Sequence, residues 1–243
     1  MPIKKISATE IGDATSVSLL IYGQSGAGKT YAASTATTLG KVLVIDTEKG
    51  RLSLQGAANV DIIPFDSFNE LRRNFGELVE EIKNYSTIVI DSLSECAEDV
   101  LGEEKAKAKD PRLAYGRSGD SMTNFLRRMK EAAGQNINLV YICKLVENND
   151  TGTTKYRPSV LGKGFSQSIP YPFDGVFLLE KHGVVEDKRR FTCKITESSL
   201  CKDRSGKLSQ YEPAHLGYII SKMLGKKELP TIPDSYVLPK DIE

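Results

Sequence analysis

The stretch GQSGAGKT, from Gly23 to Thr30, constrains this chain more than any other feature of its sequence. It fits the phosphate-binding loop pattern G-x-x-x-x-G-K-S/T, in which backbone amides close around the phosphates of a nucleotide. A short β-rich run, SVSLLIY, precedes the loop, and a helical pattern that ends at Gly40 follows it. The motif requires a strand before it and a helix after it, and the sequence predicts both. We therefore interpret the loop as a nucleotide-binding site.

The same pattern assigns roles to individual residues. Lys29 is expected to reach the β- and γ-phosphates of ATP, and the hydroxyl of Thr30 is expected to bind Mg²⁺. The further residues expected to line the nucleotide are Gly23, Gln24, Ser25, Gly26, Ala27, Gly28 and Tyr31. Kinases, GTPases, helicases, transporters and recombinases all use such a loop, so other features must choose among them.

Strand and helix patterns alternate along the chain, which predicts an α/β fold with a mostly parallel twisted sheet and helices on both faces. KVLVID (41–46) and STIVID (86–91) lack polar alternation, as expected for strands covered on both faces. The helical segment from Ser67 opens with a capping box completed by Glu70. The segment 145–172 is interpreted as a long loop, and FDGVFLLE with RRFTCKIT as a C-terminal β-hairpin.

The bulk composition limits the class of protein. A length of 243 residues suits one core, placed at 1–225, followed by a tail at 226–243 that is either flexible or docks on another subunit. A net charge of +1 argues against a strongly basic nucleic-acid coat protein. The four cysteines form no C-x-x-C pair, so we expect a reduced, cytoplasmic protein. The sequence has no apolar run long enough for a membrane helix and no signal sequence, so we expect no membrane anchor.

Two acidic residues complete the candidate catalytic set. Asp91 ends an apolar strand, the usual place for a carboxylate that organises Mg²⁺, although a strand-terminal Asp can instead cap the next helix. Its neighbour is Ser92 rather than a catalytic Glu, so the base that activates water must come from elsewhere. We assign that role to Glu48, two residues beyond Asp46; the alternative is an ordinary solvated carboxylate.

These motifs together resemble the RecA-type ATPase core, and their order is most similar to phage-encoded RecA-like single-strand annealing ATPases. The resemblance spans about residues 15–225 and implies a catalytic Glu at position 48. The run CKDRSGKL also fits the K-x-R-x-G pattern of DnaB-like and KaiC-like relatives. That match implies that Lys202 and Arg204 reach a neighbouring subunit's nucleotide, although an exposed basic turn would have the same spacing. Lys144 stands where RecA has a glutamine that senses the γ-phosphate, and its role stays open.

The resemblance further implies that the segment 145–172 grips single-stranded DNA. Its basic and aromatic side chains suit a strand's phosphates and bases, although an ordinary surface loop stays possible. The candidate DNA-binding residues are Lys155, Tyr156, Arg157 and Lys163. The expected partners are single-stranded DNA, further copies of the chain in a ring or filament, and a single-strand binding protein. A phage origin would place the protein in the host cytoplasm.

Two alternatives to a DNA recombination or annealing ATPase stay open on the sequence. A small-molecule or nucleotide kinase would use the same loop, with Arg112 and Arg117 as candidate lid residues. A nucleotide-gated scaffold or loader would bind ATP with little turnover, and the presence of Glu48 argues against it. A GTPase is less consistent with the sequence because no N-K-x-D motif occurs, and a transporter ATPase because no LSGGQ-type signature occurs.

Overall fold

The apolar runs of the sequence form the central strands of one sheet. The computed structural model describes residues 14–150, 153–160, 163–182 and 188–236. The strands are β1 (Ser18–Gly23), β2 (Val42–Asp46), β3 (Val60–Pro64), β4 (Thr87–Asp91), β5 (Asn138–Asp150), β6 (Thr153–Ser159), β7 (Gly175–His182), β8 (Lys188–Thr192), β9 (Lys202–Asp203) and β10 (Tyr211–Pro213). All residues of β1, β2 and β4 are buried, which explains why these runs show no polar alternation.

The sheet has the order β10-β8-β7-β1-β5-β4-β2-β3, with β6 paired to β5 and β9 paired to β7. The six strands from β7 to β3 in this order run parallel. The strands β6, β8, β9 and β10 pair antiparallel with their neighbours. The mostly parallel α/β sheet expected from the sequence is therefore confirmed.

Helices cover both faces of the sheet. The helices are α1 (Lys29–Ser34), α2 (Phe68–Arg73), α3 (Phe75–Glu81), α4 (Leu93–Lys107), α5 (Pro111–Ala133), α6 (Lys163–Ser168) and α7 (Leu216–Met223). One apolar core lies between the sheet and α2 to α6, and includes Phe68, Phe125 and Tyr141. A second core lies on the other face under α1 and α7, and includes Ile21 and Ile219. The phosphate loop thus leads into the α1 face.

The helical segment from Ser67 is correct in its start and wrong in its continuity. The hydroxyl of Ser67 accepts from the amide of Glu70, and the Glu70 carboxylate accepts from the amide of Asp66, so the capping interaction is present one residue out of register. The segment then divides into α2 and α3 at Asn74, whose side-chain amide donates to the carbonyl of Glu70. Such a local side-chain bond offers the backbone an alternative to the helix ladder.

The largest correction concerns 145–172, which the sequence indicated as a loop. Strand β5 runs on to Asp150, β6 returns beside it, and α6 follows. The hydrogen-bonded register extends from Lys144↔Ser159 to Asp150↔Thr153. We call β5 from Lys144 onward together with β6 the β5–β6 hairpin. It extends past the carboxyl edge of the parallel sheet, because its partner strand β1 ends at Gly23, opposite Lys144.

The C-terminal region shows the expected antiparallel pairing in part. β7 pairs with β8, and β8 with β10, while the turn expected near 185–188 lies mostly outside the described residues. Among the residues with described structure, no helix is long and apolar enough to cross a membrane. The tail reaches Tyr236, whose ring packs edge-on against His215 with centroids 5.5 Å apart.

Candidate nucleotide site

The parallel register brings the candidate nucleotide residues to one edge of the sheet. Asp46 at the end of β2 lies beside Asp91 at the end of β4, and β5 lies between β4 and β1. The phosphate loop leaves β1 at the same edge, directly after Gly23. Because the carboxyl ends of parallel strands share one edge, side chains far apart in sequence converge there.

The phosphate loop has the backbone conformation that its glycines allow. Gly26 and Gly28 have φ angles of +73° and +89°, a region that residues with a side chain rarely adopt. At Gly23 a Cβ atom would lie 2.4 Å from the carbonyl oxygen of Leu179 on β7. Any side chain at Gly23 would therefore push the loop away from the sheet.

Lys29 folds back onto its own loop. Its ammonium group donates to the carbonyls of Gly23 and Gln24, each at 2.9 Å. Burial lowers the pKa of Lys29, while the nearby carboxylates of Glu48 and Asp91 oppose that shift. The ammonium is therefore held at the loop by contacts that a phosphate oxygen can replace.

Thr30 and Asp91 form the candidate magnesium site. The Thr30 hydroxyl donates to Oδ2 of Asp91 at 2.5 Å, and Asp91 is only 3% exposed. Oδ1 of Asp91 is buried and has no hydrogen-bond partner among the described residues. Burial raises the pKa of Asp91 to about 6, despite the Thr30 hydrogen bond. A hydroxyl beside a buried carboxylate with a free oxygen suits Mg²⁺, which takes oxygen ligands and favours the ionised acid.

Glu48 lies on an exposed turn that is anchored at both ends. Its amide donates to Oδ1 of Asp46 at 3.1 Å and to the carbonyl of Asp91 at 3.2 Å. Oδ1 of Asp46 also accepts from the amide of Lys49, and Oδ2 pairs with Arg51 at 2.9 Å. The backbone of Glu48 is fixed while its carboxylate faces solvent beside the loop, as a base that activates water requires. Sequence analysis missed Asp46 as the anchor of this turn.

A family comparison agrees with this geometry. Residues 15–205 match a family model described as an AAA domain. The chain belongs to this AAA domain family. No curated protein matches the chain. An AAA domain implies nucleotide binding and ATPase activity, and such domains typically use ATP with Mg²⁺.

Lys144, whose role was left open, pairs with α4 of the AAA domain. Its ammonium group donates to the carboxylates of Glu95 and Glu98. Burial acts to lower the pKa of Lys144, but these two partners outweigh it and raise the pKa. The backbone amide of Lys144 donates to Ser94, whose hydroxyl donates to the carbonyl of Ser159. Lys144 therefore lies at the base of the β5–β6 hairpin and joins it to α4.

Lys202 and Arg204 lie far from the nucleotide site of their own AAA domain. Strand β9 pairs with the start of β7, whose Gly175 aligns with Leu19 on β1. Along β1, Leu19 lies four residues, or about 13 Å, before Gly23, where the phosphate loop begins. Lys202 donates to three carbonyls, including that of Phe173 at 2.7 Å.

Arg204 is held at the same end of the sheet. Its guanidinium pairs with Asp174 at 2.7 Å and donates to the carbonyl of Tyr171 at 3.1 Å. Its backbone amide donates to the carbonyl of Asp174 at 2.8 Å. Neither cation of the K-x-R-x-G match serves the phosphate loop of the same chain.

The candidate DNA-binding residues separate onto two faces of the β5–β6 hairpin. Tyr156 and Leu145 line a cleft of ≈ 240 Å³ that also contacts Gln24 and Ser25 of the phosphate loop. Arg157 lines a larger cleft on the other side, together with Lys202. Lys155 is two residues from Arg157 on the same strand, so the two side chains share a face. Lys163 begins α6, and its side chain lies outside the described residues.

Two contacts at the phosphate loop were missed by sequence analysis. Gln24 donates to Oε1 of Glu147 on the β5–β6 hairpin at 3.3 Å. Arg189 on β8 lies against Gly28: a Cβ atom there would be 3.0 Å from Nε of Arg189. No local pattern could reveal either contact, since each joins residues more than 120 positions apart.

Proposed function

We propose that the chain is a single-stranded-DNA-dependent ATPase that works as a homo-oligomer in recombination or annealing. The observation that carries the proposal is the β5–β6 hairpin. On one face Glu147 accepts a hydrogen bond from Gln24 of the phosphate loop, and Tyr156 lines the cleft beside that loop, while the other face presents Lys155 and Arg157. An element that touches the nucleotide loop on one side and offers cations on the other is suited to couple the two ligands.

The chemistry of the outer face suits a nucleic-acid backbone. Arg157 faces Val146, and Lys155 faces Asn148, across the two strands, so no carboxylate lies directly opposite either cation. Arg157 lines a cleft of ≈ 940 Å³, and Tyr171 at its rim is 76% exposed. Cations for phosphates and an exposed ring for bases are the two components of single-strand binding. Tyr156 faces the phosphate loop instead, so in this proposal it belongs to the coupling and not to the DNA contact.

The oligomer is supported by the place of the second pair of cations. Lys202 and Arg204 lie at the sheet edge opposite their own phosphate loop, where a neighbouring subunit could present its nucleotide. In this proposal Glu48 activates water, Lys29 binds the phosphates, and Lys202 with Arg204 completes the neighbour's site. Their present bonds to Asp174 and to backbone carbonyls would then be exchanged for phosphate when subunits associate.

The kinase alternative gains no support from the fold. Arg112 and Arg117 lie on α5, which packs over the face of the sheet opposite α1. They are therefore on the wrong face to close over a nucleotide held by α1 and the phosphate loop. The scaffold alternative predicts nucleotide binding with little turnover, and hydrolysis assays separate it from the ATPase.

The double variant Lys155→Ala/Arg157→Ala tests the DNA site. Fluorescence anisotropy with a labelled oligothymidine at fixed salt should show affinity lowered at least about tenfold, and a flatter dependence on salt, because phosphate contacts are lost. Binding of ATP should be unchanged. The double variant Lys41→Ala/Arg73→Ala removes the same charges from exposed positions away from the hairpin and should bind DNA normally. Unchanged affinity in the first variant would contradict the assignment.

A further inference from the structure

A small cavity beside the phosphate loop is lined by residues from distant parts of the chain. Its volume is ≈ 250 Å³, and its wall includes Gly28 and Tyr31 from the loop and α1, Arg189 from β8, and Ser235 with Tyr236 from the C-terminal segment. It lies at the end of the loop where α1 begins. Nothing in the phosphate-loop motif accounts for the residues from β8 or from the C-terminal segment.

Arg189 places a guanidinium on the phosphate loop. Besides its Nε, the Cδ and Cζ atoms of Arg189 lie 3.2 and 3.3 Å from the Cβ position of Gly28. A side chain at Gly28 would press on the arginine and would also strain the backbone, whose φ there is +89°. A guanidinium is charged at all working pH values, and its planar fork matches phosphate oxygens. Arg189 is therefore close enough to the backbone of the loop to contact phosphates that the loop binds.

The next residue on the strand points elsewhere. Arg190 pairs with Glu180 at 2.9 Å, and its guanidinium lies 3.8 Å from the centre of the Tyr211 ring. Adjacent residues of a strand face opposite sides of the sheet, so the two arginines have different surroundings. This pair gives a control in which the same charge is removed one residue away.

Tyr236 lines the cavity from the C-terminal segment. Burial and the nearby hydroxyl of Tyr31 raise the pKa of Tyr236, and its ring packs edge-on against His215. Its amide donates to the carbonyl of Pro233 at 2.9 Å, which holds the segment in a turn. The cavity is therefore lined by two tyrosine rings and by the guanidinium of Arg189.

We propose that Arg189 and Tyr236 of the same chain also bind the nucleotide, in addition to the phosphate loop. Arg189 is a second cation for the phosphates, beside Lys29. Tyr236 supplies a ring that covers the nucleoside, so the C-terminal segment forms the outer wall of the site. This inference rests on the nucleotide site of the proposed function and adds to it which residues set affinity for the two ends of a nucleoside triphosphate.

Equilibrium binding of ATP and of inorganic tripolyphosphate separates the two roles. Arg189→Ala should weaken the binding of both ligands at least about tenfold, since it removes a charged contact to the phosphates. Arg190→Ala should leave both affinities within about twofold. Tyr236→Ala should weaken ATP about fivefold or more and leave tripolyphosphate unchanged, whereas Tyr236→Phe should retain most ATP affinity. Thermal melting without nucleotide checks that each variant folds, and Arg189→Gln replaces Arg189→Ala if the latter does not.

The contradicting results are equally specific. Unchanged affinities in Arg189→Ala, or equal losses in the two arginine variants, would overturn the role of Arg189. A loss of ATP and tripolyphosphate binding to the same extent in Tyr236→Ala, or no loss of either, would overturn the role of Tyr236. Lys29→Ala tests the nucleotide site itself, separately from the roles of Arg189 and Tyr236. If this variant binds ATP normally, the nucleotide site is misplaced and both proposals fail.

Discussion

The side-chain amide of Gln24 lies 3.3 Å from Oε1 of Glu147, and this hydrogen bond joins the phosphate loop to the β5–β6 hairpin. The carbonyl of the same Gln24 accepts from the ammonium of Lys29 at 2.9 Å. A phosphate that draws Lys29 away would remove this partner of Gln24. We therefore expect nucleotide binding and the position of the hairpin to be connected through Gln24.

Replacing Glu147 should break this connection without removing a group that handles ATP. We expect Glu147→Ala to hydrolyse ATP without DNA at a rate within about twofold of the wild type, and to lose most of the stimulation by single-stranded DNA. Glu147→Gln keeps an oxygen that accepts the Gln24 hydrogen bond and should keep the stimulation. Steady-state hydrolysis with and without oligothymidine measures both. Full stimulation of Glu147→Ala would show that the coupling takes another route.

Glu48 should be required for hydrolysis and not for binding. Removing a general base typically costs about 10²–10⁴ in rate, so we expect Glu48→Gln to lose at least a hundredfold in turnover. Its affinity for ATP should stay near that of the wild type, because the phosphate contacts come from the loop. Glu77→Gln, on the exposed side of α3, makes the same change away from the site. Hydrolysis at the normal rate in Glu48→Gln would assign the base to another residue.

The ionised carboxylate of Asp91 should lower the free energy of unfolding of the nucleotide-free protein at neutral pH. Its pKa is raised from 3.8 to about 6, so the folded state favours the protonated acid, and stability falls as pH rises through this interval. The cost of the ionised form is on the order of 2–3 kcal/mol, since one pKa unit corresponds to about 1.4 kcal/mol. Asp91→Asn should be more stable than the wild type by up to about this amount at pH 7.5, and nearly equal to it at pH 4. Urea denaturation at the two pH values measures the difference.

The same variant should lose the effect of magnesium. We expect Mg²⁺ with ATP to raise the melting temperature of the wild type well above that with ATP alone, and to do so much less in Asp91→Asn. An equal magnesium effect in both proteins would remove Asp91 from the metal site.

His215 should make α7 sensitive to acid. Its Nδ1 accepts from the amide of Tyr218 at 3.1 Å, and burial lowers the pKa of His215 below the usual 6.5. A lowered pKa means that the stabilisation is present above pH 6.5 and is lost as pH falls through the folded-state pKa. An N-cap is worth about 1 kcal/mol, and Asn caps without titrating. On acidification the wild type should therefore lose about this much more unfolding free energy than His215→Asn does. A constant difference across the pH range would contradict the capping role.

The parts of the site that the sequence predicted are those set by local chemistry. The phosphate loop needs glycines at fixed positions, and buried parallel strands need uninterrupted apolar residues, so both leave a pattern in a few consecutive residues. Asp46 and Asp91 are the last residues of two such strands, and the parallel register places them side by side.

The parts that the sequence did not predict depend on contacts between distant residues. The β5–β6 hairpin carries mostly polar residues beyond Val146 and extends past the body of the sheet, so no hydrophobic alternation marks it as strand. The sequence RRF likewise gives no reason to choose which arginine faces the phosphate loop. That choice follows from the pairing of β8 with β7, in which Arg190 meets Glu180 and Arg189 meets Lys181.

The proposed function is best tested by steady-state ATP hydrolysis, measured with and without single-stranded DNA across a range of protein concentrations. We expect turnover per subunit to rise with DNA and also with protein concentration, because DNA acts through the β5–β6 hairpin and neighbouring subunits contribute Lys202 and Arg204 to each site. Turnover that is independent of DNA, or full turnover at concentrations where light scattering detects monomer alone, would contradict it.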